Sequence, residues 1–465
     1  MIKLNNQKTG LYILVLVILV SRIPFLSSGY GSEPDAWRLA NVSRNISVNN
    51  EYRHMSRYPG HPVQELFCSL IWKGGPVALN GVTAILSSIA FLLFALMLKK
   101  IKVDNYLLLT YAFAFTPVIY INSINSMDYM WALSFVIASF YFVVQKKLVL
   151  SGLFMGLAIG SRITSGAMLI PICYYIYKTF ENQKYKRILI LFIISIVVAG
   201  ITYIPVIIRF GTAFFQFEMV QYPSFLYLLK NLSVSVWGIP GVLAICLGLF
   251  FLLSGFKKNQ KERSADFRNF IVMSWMVILL YLIAFILAPL KPGYLIPVVP
   301  FVLIILYFYL PAAKLRIVCY LMIASSFLLG LSYSTIKAHE TGYGAFNINI
   351  AGNDITVDIL KGPLFLELSK RSEGINAVNN IIRYGKQVNE NSVVETGDML
   401  PLIETTLCSN KDGYVEYCYV FNETEMNTYK QNGYKLYYLP EVNKANVLFY
   451  GFDPADYGVK PFVYY

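Results

Sequence analysis

The sequence predicts a mainly α-helical, polytopic membrane protein with about eleven spanning helices and a small α/β unit at its C-terminal end. Composition is the first reason: the 465 residues are 56% hydrophobic and only 14% charged, with a mean hydropathy of +0.54. A soluble domain carries about a quarter charged residues. The second is that apolar stretches long enough to cross a bilayer recur along residues 1–335. The third is that the Lys-rich short connections fall on alternate sides of those stretches, as the positive-inside rule requires.

Residues 11–26 follow Lys3 and Lys8 in the manner of a signal peptide. No small-residue cleavage site follows, and Arg22 and Pro24 interrupt the end, so the segment reads as a retained first helix. Further spans are expected at 77–98, 105–122, 128–144, 187–208, 231–254, 269–288, 293–310 and 315–335. The run 148–177 is broken by Gly160, Ser161, Arg162 and Thr164. An arginine at that depth is costly on a lipid-facing helix, so the run divides into two helices meeting near Arg162.

With a cytoplasmic N-terminus, the connections holding Lys99-Lys100-Lys102, Lys146-Lys147, residues 178–187, residues 257–268 and Lys314-Arg316 all face the cytoplasm. An odd helix count then places residues 336–465 outside. The expected organisation is a membrane domain, 1–335, with a long first outer loop, 27–75, and an extracytoplasmic domain, 336–465, all in the plasma (inner) membrane. The net charge of +13 is accounted for by cytoplasmic loops and anionic lipid, and nucleic acid is not expected as a partner.

In the tail, residues 347–360 alternate apolar and polar around Gly-Asn-Asp, a hairpin signal. Residues 373–388 have helical spacing, and SVVETGD, VEYCYVF and ANVLFYGF read as strands. Cys408 and Cys418 lie in this polar tail and are able to pair in an oxidising compartment, which the sequence leaves open. Cys68, Cys173, Cys246 and Cys319 lie in or beside apolar segments as packing residues, and no Cys/His spacing suggests a metal site.

The chemistry concentrates on the outer side. The first loop holds Glu33, Asp35, Arg38, Arg44, Arg53, His54, Arg57, His61 and Glu65, interleaved with Trp37, Leu39, Tyr58, Leu66, Phe67 and Trp72. Long loops of this kind are functional or disordered, and the apolar interleaving favours interfacial helices over a merely solvated loop. Asp35, just beyond the first helix, is placed to act as a general base. Asp128 opens a helix in NSMDYMWAL, where a carboxylate also suits the macrodipole. Arg162 reads either as a snorkelling arginine or as a functional cation. Lys291, in APLKPGYLIPVVP, is either an ordinary loop lysine or a second such cation. Cations on one face with two acids would neutralise a phosphate leaving group, while the acids handle an acceptor or hold a metal.

Five segments occur in order: Asp35 in SEPDAWRLA; the His/Pro-rich RYPGHPVQELFCSLIWKGGPVALNGVTAIL; Asp128 at the outer start of the fourth span; GLFMGLAIGSRITSGAMLIP; and KPGYLIPVVP. Together they resemble the C superfamily of integral-membrane glycosyltransferases, nearest the lipid A aminoarabinose transferase, protein O-mannosyltransferase and rhizobial lipopolysaccharide glycosyltransferase group. The resemblance covers residues from about 10 to 310, and the tail matches the extracytoplasmic domain many of these enzymes carry. It implies transfer of a sugar from a polyprenyl-phosphate donor to a lipid, glycan or protein acceptor. Asp35 would be the base and Asp128 a second catalytic residue, positioning the sugar, the acceptor or a divalent ion. Arg162, Lys291, Tyr294 and Arg57 would meet the donor phosphate, and Glu33, His54 and His61 would position sugar or acceptor.

This sequence departs from the pattern at several positions. Arg162 replaces the usual lysine, Val63 the second proline and Asn80 an arginine, and Ala36 follows Asp35 where an acidic doublet is common. These departures leave open the acceptor and any divalent cation, for which Asp35, Asp128 and His61 are the candidate ligands. The rival readings are a transporter or flippase for a lipid-linked saccharide, and a non-catalytic assembly or sensor protein. A transporter should show internal repeats and mid-helix charges, and neither is evident.

Overall fold

The computed structural model describes residues 2–211, 222–254, 265–334, 344–350, 353–443, 447 and 452–464. Helix α1 (Ile2–Arg22) leads into the long first connection. Two helices form there, α2 (Pro34–Asn49) and α3 (Pro62–Ile71), each with proline in its first turn, where the missing N–H costs nothing. α4 (Gly75–Lys100) follows. The span expected at 105–122 is divided into α5 (Tyr106–Phe115) and α6 (Pro117–Asn122). Thr116 is extended there, because the residue before a proline is driven out of the helical region.

α7 (Asp128–Val144) and α8 (Leu148–Ser161) come next. Arg162 is extended (φ −159°, ψ 113°) and a 3-10 turn, Ile163–Met168, leads into α9 (Leu169–Thr179), so the expected division at Arg162 is present. α10 (Lys184–Phe210), the short α11 (Phe225–Leu232), α12 (Val234–Leu253) and α13 (Ala265–Leu287) complete the middle of the chain. The 3-10 segment Pro292–Val298 runs into α14 (Val299–Tyr309), and α15 (Ala312–Ala324) follows. Among the described residues, six helical stretches are long and apolar enough to cross a membrane.

Close helix approach depends on small residues, as it does where lipid supplies no hydrophobic drive between helices. Gly152, Gly156 and Gly160 lie one turn apart on α8, and a Cβ at any of them would meet Ile194, Val198 or Thr202 of α10. Val63, on α3, closes the same seam beside Gly160. α12 breaks at Gly238 (φ 68°), whose backbone rests on the Ser325 carbonyl. Lys146 and Arg187 both lie over the Phe180 ring, so the basic turns before α8 and before α10 gather at one end.

The last helix is shorter than the expected 315–335. It stops at Ala324, and residues 330–334 are instead a strand, β1 (Gly330–Ser334). A Cβ at residue 330 would collide with the Lys361 carbonyl, so glycine permits this edge to close on the chain ahead of the next helix. β1 pairs with β3 (Asn353–Asp358), which also pairs with β2 (Ala345–Ile350) in the expected hairpin. α16 (Pro363–Gly385) starts earlier than the helical spacing indicated, at a proline.

A second sheet has the order β5-β6-β4-β7-β8. Its centre is β4 (Ser392–Glu395), fully buried, with α17 (Leu400–Leu407) following. The remaining elements are β5 (Lys411–Asp412), β6 (Val415–Cys418), α18 (Glu423–Gln431), β7 (Lys435–Tyr438) and β8 (Lys460–Pro461). Most of the segment ANVLFYGF, most of the connection 257–268 and most of the loop after Arg209 lie outside the described residues. Cys408 and Cys418 are free thiols.

The tail docks on the first connection. Asn41 on α2 donates to the Pro401 carbonyl at 3.1 Å and accepts from the Thr405 hydroxyl at 2.8 Å, and Arg44 donates to the Cys408 carbonyl at 2.9 Å.

Candidate active site

Pro34 starts α2 immediately after Glu33, which puts Asp35 in the first turn. The Asp35 carboxylate accepts from three cations: Arg38 Nη1 at 2.9 Å, Arg57 Nη1 at 2.7 Å and Lys291 Nζ at 2.6 Å. Lys291 also reaches Glu33 Oε2 at 2.7 Å. Asp128 opens α7 after an extended Met127, and its side chain is 1% exposed. It accepts from Arg57 Nη2 and, at 2.7 Å, from Arg162 Nη1. One guanidinium, Arg57, therefore bridges both acids, which lie 93 positions apart in sequence.

Arg57 is aimed by its third nitrogen. His61 Nδ1 donates to the Ser161 carbonyl at 2.9 Å, which leaves Nε2 to accept from Arg57 Nε at 2.8 Å. Burial, with the charges of Arg57 and Arg162 beside it, holds the His61 pKa well below its usual range, so the ring is neutral and this tautomer persists. Glu65 fixes the loop that carries Arg57. It accepts from the Ser56 amide at 2.8 Å, the Ser56 hydroxyl at 2.5 Å, the His61 amide at 3.2 Å and the Tyr52 hydroxyl.

Two tyrosines floor the cluster. Arg162 lies 4.6 Å from the Tyr129 ring centroid and 4.8 Å from that of Tyr294, and Arg57 lies 5.5 Å from Tyr129. Cation–π contact of this kind holds a guanidinium without neutralising it. Gly293 makes room for the arrangement, since a Cβ there would stand 2.6 Å from the Tyr129 ring.

Burial alone would raise the Asp35 pKa, but Arg57, Lys291 and Arg38 outweigh it and hold the carboxyl well below the usual range. Burial likewise opposes the charge on Lys291, and Glu33 and Asp35 more than compensate, keeping it protonated. Among the described residues no three His, Cys, Asp or Glu side chains form a group able to hold a metal ion. The oxygens of Asp35 and Asp128 face guanidinium and ammonium donors, an environment that does not fit a divalent ion.

A cavity of about 1290 Å³ opens in front of Asp35. Glu33, Asp35, Arg38, Arg57, His54 and Lys291 line one side, and Asp398, Glu404 and Tyr419 of the tail line the other. Asp128, Arg162 and Tyr294 stand behind this wall. His54 is exposed on it and, among the described residues, joins none of the ion pairs. Of the residues expected to form a site, Glu33, Asp35, Arg57, His61, Asp128, Arg162 and Lys291 thus share one contact network, with Tyr294 stacked on it.

Arg38 and Glu65 were read only as charges of the first loop, with no role of their own, and Tyr129 and the tail residues were not singled out by sequence. For Tyr129 the only signal is adjacency to Asp128, and the tail residues carry none. Asn80, where the resemblance implies an arginine, donates to the Leu26 and Gly29 carbonyls at 3.0 and 2.9 Å and accepts from the Ser126 hydroxyl at 2.8 Å. It ties the two segments that precede the acids and does not join the ion cluster.

A family model, described as the EpsG family, matches residues 73–349. Among solved structures, the crystal structure of ArnT from Cupriavidus metallidurans bound to undecaprenyl phosphate is similar, with a TM-score of 0.55 and 12% identity. The alignment covers 91% of this chain and 88% of that one. No curated protein matches.

Proposed function

The chain belongs to the EpsG family and has the fold of a C-superfamily membrane glycosyltransferase, and on that premise we propose that it moves a sugar from a polyprenyl-phosphate-linked donor to a lipid, glycan or protein acceptor. The observation that most supports this is the sharing of Arg57 between Asp35 and Asp128, with Lys291 and Arg162 alongside, at the wall of a large cavity. Three of the four cations held by these two acids, Arg57, Lys291 and Arg162, form a resting anion site. A donor phosphate would compete with the carboxylates for Arg57, Lys291 and Arg162, with the Tyr294 hydroxyl as a further donor. That ArnT was crystallised with undecaprenyl phosphate supports a lipid-linked phosphate here.

On this reading Asp35, relieved of Arg57 and Lys291, regains basicity and takes the proton of the acceptor hydroxyl or amine. The acceptor atom attacks the anomeric carbon in line, the bond to the phosphate oxygen breaks with its electron pair, and the configuration inverts. The leaving phosphate carries the extra charge, which Lys291 and the arginines balance. Asp128 keeps Arg57 and Arg162 in place. His61 acts through Arg57, and Glu33 and His54 face the cavity to position sugar or acceptor. No step is routed through a metal.

We place the reaction on the outer face of the plasma (inner) membrane. The chain would cross about eleven times, with the N-terminus cytoplasmic, 1–335 as the membrane domain and 336–465 extracytoplasmic. The basic turns gathered around Phe180 support that orientation. A scaffold or sensor role needs no such convergence of acids and cations, and a flippase would need it at mid-bilayer depth.

Mass spectrometry of cell-envelope glycans and lipids with and without the protein should reveal one lost sugar. With the donor so identified, purified Asp35→Asn should be folded and inactive. Near-normal transfer by that variant would eliminate Asp35 as the base.

A further inference from the structure

Arg371, on α16 of the tail, is fully buried and pairs with Glu367 one turn earlier, Nε to Oε1, at 3.0 Å. Glu367 receives the Ser32 hydroxyl at 2.7 Å and the Ser32 amide at 3.2 Å. Arg371 Nη1 donates to the Ile124 carbonyl at 3.1 Å and to the Ser28 hydroxyl at 3.3 Å. Ser32 is the residue before Glu33 and lies three before Asp35, and Ile124 lies four before Asp128. A single ion pair of the tail therefore grips both chain segments that deliver the two acids. Asn80 grips the same two segments from the other side, through Gly29 and Ser126, and the Ser126 amide donates to the Tyr30 carbonyl at 2.9 Å.

That grip matters because of Arg57. Its guanidinium is a rigid planar fork, and its two terminal nitrogens serve one acid each. The carboxylates must sit at the spacing of the fork, and a shift of either segment unseats one of them. We propose that the Glu367–Arg371 pair is a positioning device that sets the spacing of Asp35 and Asp128, which makes α16 a working part of the active site. This rests on the transferase reading for its kinetic consequence but not for its geometric one.

The test uses full-length Arg371→Lys and Glu367→Gln in detergent or nanodiscs, with Ser32→Ala as the milder variant should the first two fail to accumulate. In the folded fraction kcat should fall roughly tenfold to a hundredfold, the scale of a misplacement of about 1 Å. Donor KM should stay within about twofold, since no phosphate contact is removed. Hydrogen exchange should rise together in the segments around residues 28–33 and 123–128. Unchanged kcat per folded molecule, or faster exchange in only one segment, would overturn the proposal. If wild-type protein transfers no sugar from any polyprenyl-phosphate donor, the transferase reading fails, and the paired exchange response still decides this one.

Discussion

Asp35 and Asp128 share one arginine yet occupy different surroundings. Asp35 lines the cavity and is held by Arg38, Arg57 and Lys291, all three of which line it too. Asp128 stands behind the wall, nearly inaccessible, between Arg57, Arg162 and the Tyr129 ring. On the proposed reading the same residue type would do two jobs: an acid that a substrate can reach is suited to proton transfer, and one that it cannot reach is suited to holding cations in place. Burial, not identity, would then divide the roles.

Substitutions can break that division. Asp35→Asn should lower transfer by about 10²–10⁴-fold with little change in melting temperature, because Arg38 and Lys291 remain wetted by the cavity and Arg57 keeps its pair with Asp128. Asp128→Asn should instead cost stability, on the order of 3–5 kcal/mol, by leaving buried arginine charge uncompensated. Thermal unfolding reads this, and an Asp128→Asn protein as stable as wild type would erase the distinction. Gly293→Ala should cost about 1–3 kcal/mol through overpacking against Tyr129 and disturb both arginines above that ring. Lys291→Ala should raise the apparent donor KM roughly tenfold, as expected for one lost charged hydrogen bond.

The smallest effect is in the pH profile. In the free protein the Asp35 carboxyl is held low, with burial opposing and Arg57 and Lys291 prevailing. Its stabilising contribution is present at neutral pH and is lost only as pH falls through that depressed value. A bound phosphate would take those cations and let the pKa rise. The acid limb of kcat should therefore lie at higher pH than that of kcat/KM, and coincident limbs would show that the phosphate leaves Asp35 paired.

Much of this was legible in the sequence. The helix positions follow from the length of apolar runs and the alternation of Lys-rich turns, and Asp35, Asp128, Arg162 and Lys291 stand out as charges beside apolar segments. The bridge made by Arg57 was not legible, because it depends on a loop conformation that Glu65 imposes from inside α3. Nor was the end of α15, where apolar residues continue past Ala324 but the chain turns into a strand. Contacts such as Ser32–Glu367, 335 positions apart, leave no trace in local spacing or hydropathy.

The three-cation grip on Asp35 also carries a kinetic meaning. On the proposed reading, with no donor present the base would be occupied by the very groups that a phosphate would claim, so the Asp35 carboxylate would not be free to activate water or an acceptor. Such a site would be self-inhibited at rest, and the donor itself would release the catch. Binding order then becomes a property of the ion pairs: an acceptor arriving first would find the base disarmed, and wasteful hydrolysis would be limited to the interval in which a donor waits alone.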